Sequence, residues 1–337
     1  MRRAIIVLIA ASLLAGFGCS SIRRVKNGGQ PMTGCTHDLS TITELREIMK
    51  ARGKSEPEAE RPLEGLQIAL TINGMVRGNA GQSDEEDYWC REENSVENFH
   101  NLIASLKAND IPSTVDFLAG QWIDPALQEE WLKAGNQLGS FTFKRQKAHS
   151  FSPAEFIEDL TRSEQILLPL IKKAGQRRKY FRYPRLKTSL DAGHRAAITE
   201  YLDKNGYVEV PATIDALDWK FSELFCKARS RGDQNCANLI KSYFNPLLFD
   251  SASRARALAK ALTGRDVKHI MMFEATQFTC DNLDEILKFC KRMGVRFITL
   301  DEALADPFYQ RRTPGGDSEA VDVLRRVQLR QAGEPDD

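Results

Sequence analysis

From Leu66 onward, short apolar runs alternate with longer stretches whose apolar residues recur every three or four positions, and this alternation constrains the fold more than any other feature. Strands that alternate with helices pair in parallel, because each helix carries the chain back to the same edge of the sheet. The strand-like runs are Leu66 to Ile72, Ile111 to Leu118, Tyr207 to Thr213, Val267 to Phe273 and Arg296 to Leu300. Val96, Phe99, Leu102, Ile103 and Leu106 define one helical face. Ser152-Pro153-Ala154-Glu155 starts another helix, with serine as cap, proline at the first position and glutamate completing a capping box. Pro169 is expected to kink or break that helix, and residues 301 to 309 read as a closing one. A continuous α/β block over residues 66–309 fits a single barrel domain better than two domains.

The N-terminus reads as an address. Met1-Arg2-Arg3 precedes an apolar run from Ala4 to Phe17, which at about 14 residues has the size of a signal-peptide core and falls short of the roughly 20 needed to cross a bilayer. Residues 1–18 are therefore expected to be a signal peptide. The run Leu14-Ala15-Gly16-Phe17-Gly18-Cys19-Ser20 is similar to a bacterial lipoprotein box with Cys19 as the lipidated residue, but Gly16 stands where that box has leucine. Lipidation of Cys19 and a plain secretory signal both stay open. Either exports the chain, to the periplasm or, as a lipoprotein, to the outer membrane of a bacterium. Residues 19–65 read as a tether and cap, with a short helical pattern from Ile42 to Met49, and 310–337 as a polar tail.

Charge and cysteines narrow the function classes. Lys and Arg number 47 against 46 Asp and Glu, so the chain has no field for neutralising phosphates and no nucleic-acid partner is expected. Contact with a membrane is expected only through the N-terminal lipid. Besides Cys19 there are Cys35, Cys90, Cys226, Cys236, Cys280 and Cys290, an even set in an exported chain. Cys226 and Cys236 bracket the polar stretch Lys227 to Asn235 and make the best disulfide pair, whereas Cys290 lies in helical register with Leu283, Ile286 and Leu287 as a small core residue. There is no Cys/His zinc module, and neither GxGxxG nor GxxxxGK[ST] occurs.

Several stretches, in order, resemble the polysaccharide deacetylase family, also called the NodB homology domain or carbohydrate esterase family 4. They are Ile68-Ala69-Leu70-Thr71-Ile72, Leu106-Lys107-Ala108-Asn109-Asp110-Ile111-Pro112, Trp131 to Ser140, Phe181-Arg182-Tyr183-Pro184, Asp215-Ala216-Leu217-Asp218-Trp219 and Phe297 to Leu304. The resemblance implies a distorted (β/α) barrel. It also implies a divalent metal, commonly zinc, held by one Asp and the two His of an H-x-x-x-H pattern, with an Asp base and a His acid. The metal would acidify a water and polarise the acetyl carbonyl, and base and acid would move the protons.

The chain departs from that pattern where the chemistry sits. Thr71-Ile72-Asn73-Gly74-Met75 puts Asn73 at the base position and Gly74 at the aspartate ligand; Phe141 and Arg145 fall on the two histidine ligands, and Glu274 on the acid. An amide is no carboxylate base, and neither glycine nor phenylalanine offers a ligand atom. No metal cofactor and no deacetylation by the family's mechanism are expected. His149 is nearest the lost motif; His37, His100, His194 and His269 read as surface or packing residues, and Asp84 to Asp87 as a solvated charge run. Arg182, Pro184, Asp215, Asp218 and Trp219 remain as cavity residues, and Arg145, Arg182, Asp215 and Glu274 are expected to form a charged network on the floor, with Glu274 and Asp215 as the candidate partners of Arg182. Packing of the barrel alone is the competing account of these residues.

Three functions follow. The first is an envelope-associated pseudoenzyme that binds a cell-wall glycan such as peptidoglycan, or a protein partner. The second is an active hydrolase of non-peptide carbon-nitrogen bonds with a rearranged mechanism using Glu274 or the Asp84 to Asp87 run. The third is an interaction role carried by residues 20 to 65 or the tail, with the barrel as scaffold.

Overall fold

The computed structural model describes residues 63–74, 95–146, 148–187 and 191–310, together with Glu47, which lies in a helix. The signal peptide and Cys19, most of the tether, Cys35, His37, Cys90, the Asp84 to Asp87 run and the tail beyond residue 310 lie outside the described residues, as does the side chain of His149.

The chain order is β1 (Gln67–Asn73), α1 (Ser95–Ala108), β2 (Val115–Ala119), α2 (Pro125–Lys133), β3 (Gln137–Thr142), α3 (Pro153–Lys173), β4 (Lys179–Phe181), α4 (Ala192–Lys204), β5 (Tyr207–Glu209) and β6 (Ile214–Asp215). It continues through α5 (Trp219–Ser230), α6 (Gln234–Thr263), β7 (His269–Glu274), α7 (Gln277–Arg292), β8 (Arg296–Ile298), α8 (Leu300–Leu304) and α9 (Pro307–Gln310). The strands form one parallel sheet in the order β5-β4-β3-β2-β1-β7-β6. β8 pairs with Gln67 to Ala69 of β1, whose Thr71 to Asn73 pair with β2. Among the described residues no ladder joins β5 to β6, so the sheet is a distorted (β/α) barrel open at one seam. β1 is central and buried along both faces, as a continuous apolar run in a parallel sheet should be.

All strands run the same way, so their C-terminal ends share one edge, where Asn73, Thr142, Phe181, Asp215 and Glu274 end or nearly end their strands. Gly139 on β3 is required there, because a Cβ would lie 2.6 Å from the Phe117 ring. Outside the sheet, α5, α6 and α7 meet around Phe278, with ring centroids of Phe244 at 4.9 Å, Phe225 at 5.3 Å and Phe221 at 5.7 Å.

Several elements differ from the sequence reading. Pro169 does not break α3, which runs unbroken from Pro153 to Lys173; Pro169 and Gln165, whose carbonyl loses its partner, are both exposed, on a face open to solvent. The expected strand Ile111 to Leu118 begins only at Val115, and Tyr207 to Thr213 is a strand only to Glu209, with Pro211 barring further pairing. β3, β4 and β6 carry no strand signal in the sequence, being short or mixed with Gly, Ser and Lys. The closing helix is two, α8 and α9, interrupted before Pro307. Val96 is 46% exposed and lies off the buried face of α1. The stretch Lys227 to Asn235 is no loop: Cys226 is on α5 and Cys236 on α6, and only Arg231 to Asp233 separate the two helices. Cys226 and Cys236 are each disulfide-bonded. Cys290 is buried with a free thiol, which burial pushes up to about 12.

The α3 start signal is realised in full. Ser152 Oγ accepts from the Glu155 N–H at 3.3 Å, and the Glu155 carboxylate accepts from the Ser152 N–H at 2.8 Å. Ser152→Ala is expected to cost about 1 kcal/mol, read as a lowered midpoint in urea unfolding with an unchanged slope.

Candidate functional site

The site is built on the register of the central strands. Asn73 and Glu274 are direct partners across the β1 and β7 ladder, and Asp215 pairs with Met272 one strand further. Asn73 donates its amide N–H to Glu274 Oε1 at 2.9 Å and accepts from Arg182 Nη1 at 2.8 Å through its Oδ1. Arg182 is fully buried, lies over the Phe117 ring at 4.1 Å and gives its Nε–H to the Val210 carbonyl at 3.0 Å. Its Nη2 has no hydrogen-bond partner. Glu274 Oε2 accepts from Arg145 Nη2 at 2.8 Å. The result is a chain of contacts, Arg145 to Glu274 to Asn73 to Arg182, across the C-terminal edge.

Arg145 is presented by the turn after β3. Lys144 donates its N–H to the Asp159 carboxylate at 2.9 Å and Arg145 donates its own to Thr142 Oγ1 at 3.1 Å. These bonds hold Arg145 at φ 57°, a left-handed conformation that costs a side-chain-bearing residue about 1 kcal/mol or more. The guanidinium then sits 4.9 Å from the Phe141 ring centroid and 5.8 Å from that of Trp122. Gly74, at φ +74°, leaves room for it: a Cβ there would lie 3.5 Å from Arg145 Nη1.

On the other flank Asp218 is fully buried; one carboxyl oxygen accepts from the Glu274 N–H at 2.9 Å and from the Thr279 hydroxyl, and the other has no partner. Asp215 accepts from the Leu217 N–H at 2.8 Å. Burial raises both carboxyls: Asp215 is pushed up to about 7, with the nearby Glu274 charge adding to the rise, and Asp218 goes well above the usual carboxylate range. Burial likewise pulls Arg182 down to about 9, against the upward pull of Glu274 and Asp215.

The family model for polysaccharide deacetylase matches residues 86–207. Over that stretch the barrel resembles a polysaccharide deacetylase domain. The match runs up to β5 and leaves Asn73, Gly74, Asp215 and Glu274 beyond its ends. No curated protein matches the chain. Among solved structures it is similar to a CE4 family pseudoenzyme from Bacillus anthracis, at 16% identity and TM-score 0.46 over 78% of this chain and 81% of that one. It is also similar to a family 4 carbohydrate esterase from Streptomyces lividans, at 15% and 0.45 over 72% and 96%. A peptidoglycan deacetylase from Bacillus subtilis gives 16% and 0.44 over 79% and 96%.

The divalent metal that the family resemblance implies has no donor set at these positions. Gly74 has no side chain, Phe141 offers a ring, and Arg145 puts a permanent cation beside the Gly74 position. Among the described residues no group of three or more His, Cys, Asp or Glu side chains could hold a metal ion.

Of the residues singled out in the sequence, the structure brings together Arg145, Glu274, Asn73 and Arg182. Asp215 belongs to the same floor without bonding to either arginine; the partner Arg182 takes directly is Asn73, and Glu274 and Asp215 act on it only through space. Pro184 is buried in a short 3-10 turn, and Trp219 starts α5 half-buried. The other histidines lie apart from the floor. His100 is exposed beside Glu130, His194 gives its backbone N–H to the helix-capping Asp191, and His269 is buried at the opposite end of β7 against Thr213. Sequence reasoning missed Trp122, Phe117, Thr142 and Thr279. Trp122 had a usable signal, a large aromatic just past the end of a strand; Thr279 had none, since its role depends on α7 docking beside Asp218.

Proposed function

We propose that this chain is an exported, envelope-associated protein that keeps the polysaccharide deacetylase barrel as a catalytically inactive, glycan-binding module acting at cell-wall polysaccharide such as peptidoglycan. The observation that carries the reading is the ion pair of Arg145 and Glu274, which puts a guanidinium beside the ligand-less Gly74. A fixed cation there repels a metal that already lacks donors, and Asn73, held by Arg182 and Glu274, has no proton-accepting carboxylate to offer water. Export follows from the basic and apolar N-terminus and from Cys19. The test is elemental analysis of the purified chain after incubation with zinc or cobalt, alongside acetate release from acetylated chitooligosaccharide and peptidoglycan. No stoichiometric metal and no acetate are expected. One metal per chain with acetate released overturns the reading.

A further inference from the structure

Two guanidiniums meet at this floor, and their hydrogen bonds to protein acceptors do not use them up. Arg182 gives its two bonds to neutral oxygens, the Asn73 amide and the Val210 carbonyl, and its buried Nη2 finds no acceptor. Arg145 gives one bond to Glu274, and among the described residues its Nε and Nη1 have none. Asp215 and Asp218 take their hydrogen bonds from the Leu217 and Glu274 N–H groups and from Thr279, not from either arginine. The hydrogen-bonded set therefore holds two cations against one carboxylate. Arg145 and Glu274 keep 14% and 13% of their side-chain surface exposed, so a ligand can reach them. The guanidinium is backed by Trp122 and Phe141, and its free Nη1 lies beside the space that glycine leaves at position 74. A guanidinium fork with spare donors matches a planar carboxylate better than a hydroxyl or an acetamide.

We propose that the floor takes the carboxylate of an acidic sugar, with Arg145 as its direct contact and Arg182 as buried charge support; this rests on the glycan-binding reading above and names the class of glycan. The carboxylate displaces no protein partner, because Arg145 keeps Glu274 on Nη2 and offers its remaining donors. Neutral glycans offer those donors no charge-assisted acceptor.

The experiment is titration calorimetry of the purified chain with trigalacturonic acid, the same oligosaccharide after carboxyl reduction, the disaccharide of N-acetylglucosamine and N-acetylmuramic acid, and chitotriose. At least one carboxylated sugar is expected to bind about tenfold or more tightly than the neutral ones, the worth of one charge-assisted hydrogen bond. Which of the two acids binds distinguishes a uronic acid from a lactyl ether as the source of the carboxylate. Arg145→Met is expected to abolish the preference and Arg145→Lys to keep part of it. Should Arg145→Met fail to fold, the carboxylated and reduced sugars compared on the unaltered chain still decide. Equal affinity for acidic and neutral sugars overturns the carboxylate proposal and leaves glycan binding standing. Binding to none of the probes overturns both.

Discussion

A chain carrying Gly74→Asp, Phe141→His and Arg145→His together is expected to retain one zinc ion through gel filtration, where the parent retains none. The three positions converge: a Cβ at Gly74 would lie 3.5 Å from Arg145 Nη1, and the Arg145 guanidinium lies over the Phe141 ring. One carboxylate and two imidazoles supply three ligands and leave an open position. The exchange also removes one positive charge and adds a negative one, so the local field turns from repelling a cation to attracting it. Gly74 is at φ +74°, a conformation that Asp tolerates better than most residues, at roughly 1 kcal/mol of strain. Gly74→Asp alone is expected to bind no zinc, since its carboxylate would pair with Arg145. Elemental analysis after gel filtration decides; a folded triple variant without metal would mean that the three positions do not face one another.

The parts of the fold legible in the sequence were those whose signals are local. The buried run of β1, the Ser152 capping box and the helical register of Leu283, Ile286, Leu287 and Cys290 each depend on neighbours within a few residues, and each is realised. β6 is two residues long and exists only because Ile214 and Asp215 lie against Met271 and Met272. No local pattern announces such a strand. The expected break at Pro169 does not occur for a related reason: whether proline ends a helix depends on the surroundings of the abandoned carbonyl, and that is a property of the packed face.

The site divides in the same way. Residue types at matched positions made the losses at Asn73, Gly74, Phe141 and Arg145 visible without coordinates. What fills the space was not visible. A bond between Arg182 and Asn73 spans 109 residues, and one between Arg145 and Glu274 spans 129. The chain order gives no reason to prefer Asn73 over Asp215 as the partner of Arg182. The geometry does, because Asn73 ends the central strand and Asp215 turns its carboxyl oxygen to the Leu217 N–H.

Asp215→Asn is expected to raise stability at pH 8 by as much as about 4 kcal/mol, on the order of 10 °C in melting temperature for a domain of this size. Burial, with the Glu274 charge beside it, pushes the Asp215 carboxyl from an ordinary value of 3.8 up to about 7. The folded chain therefore holds a proton that the unfolded chain releases above about pH 4. Stability from this group is fully present below about 4 and is lost as pH rises toward 7, at about 1.4 kcal/mol per unit. Asparagine keeps an oxygen for the Leu217 N–H and never ionises, so it escapes that loss. The difference between variant and parent is thus expected to be near zero at pH 4, to grow through pH 7 and to level off above it. His269 contributes the opposite slope, since burial pulls it from 6.5 down to about 4 and its stability is lost as pH falls through that range. It is present in both chains and cancels in the difference. Urea unfolding of the two chains across this range measures the difference directly, and a variant less stable than the parent at pH 8 would show instead that Arg182 holds Asp215 in its charged form.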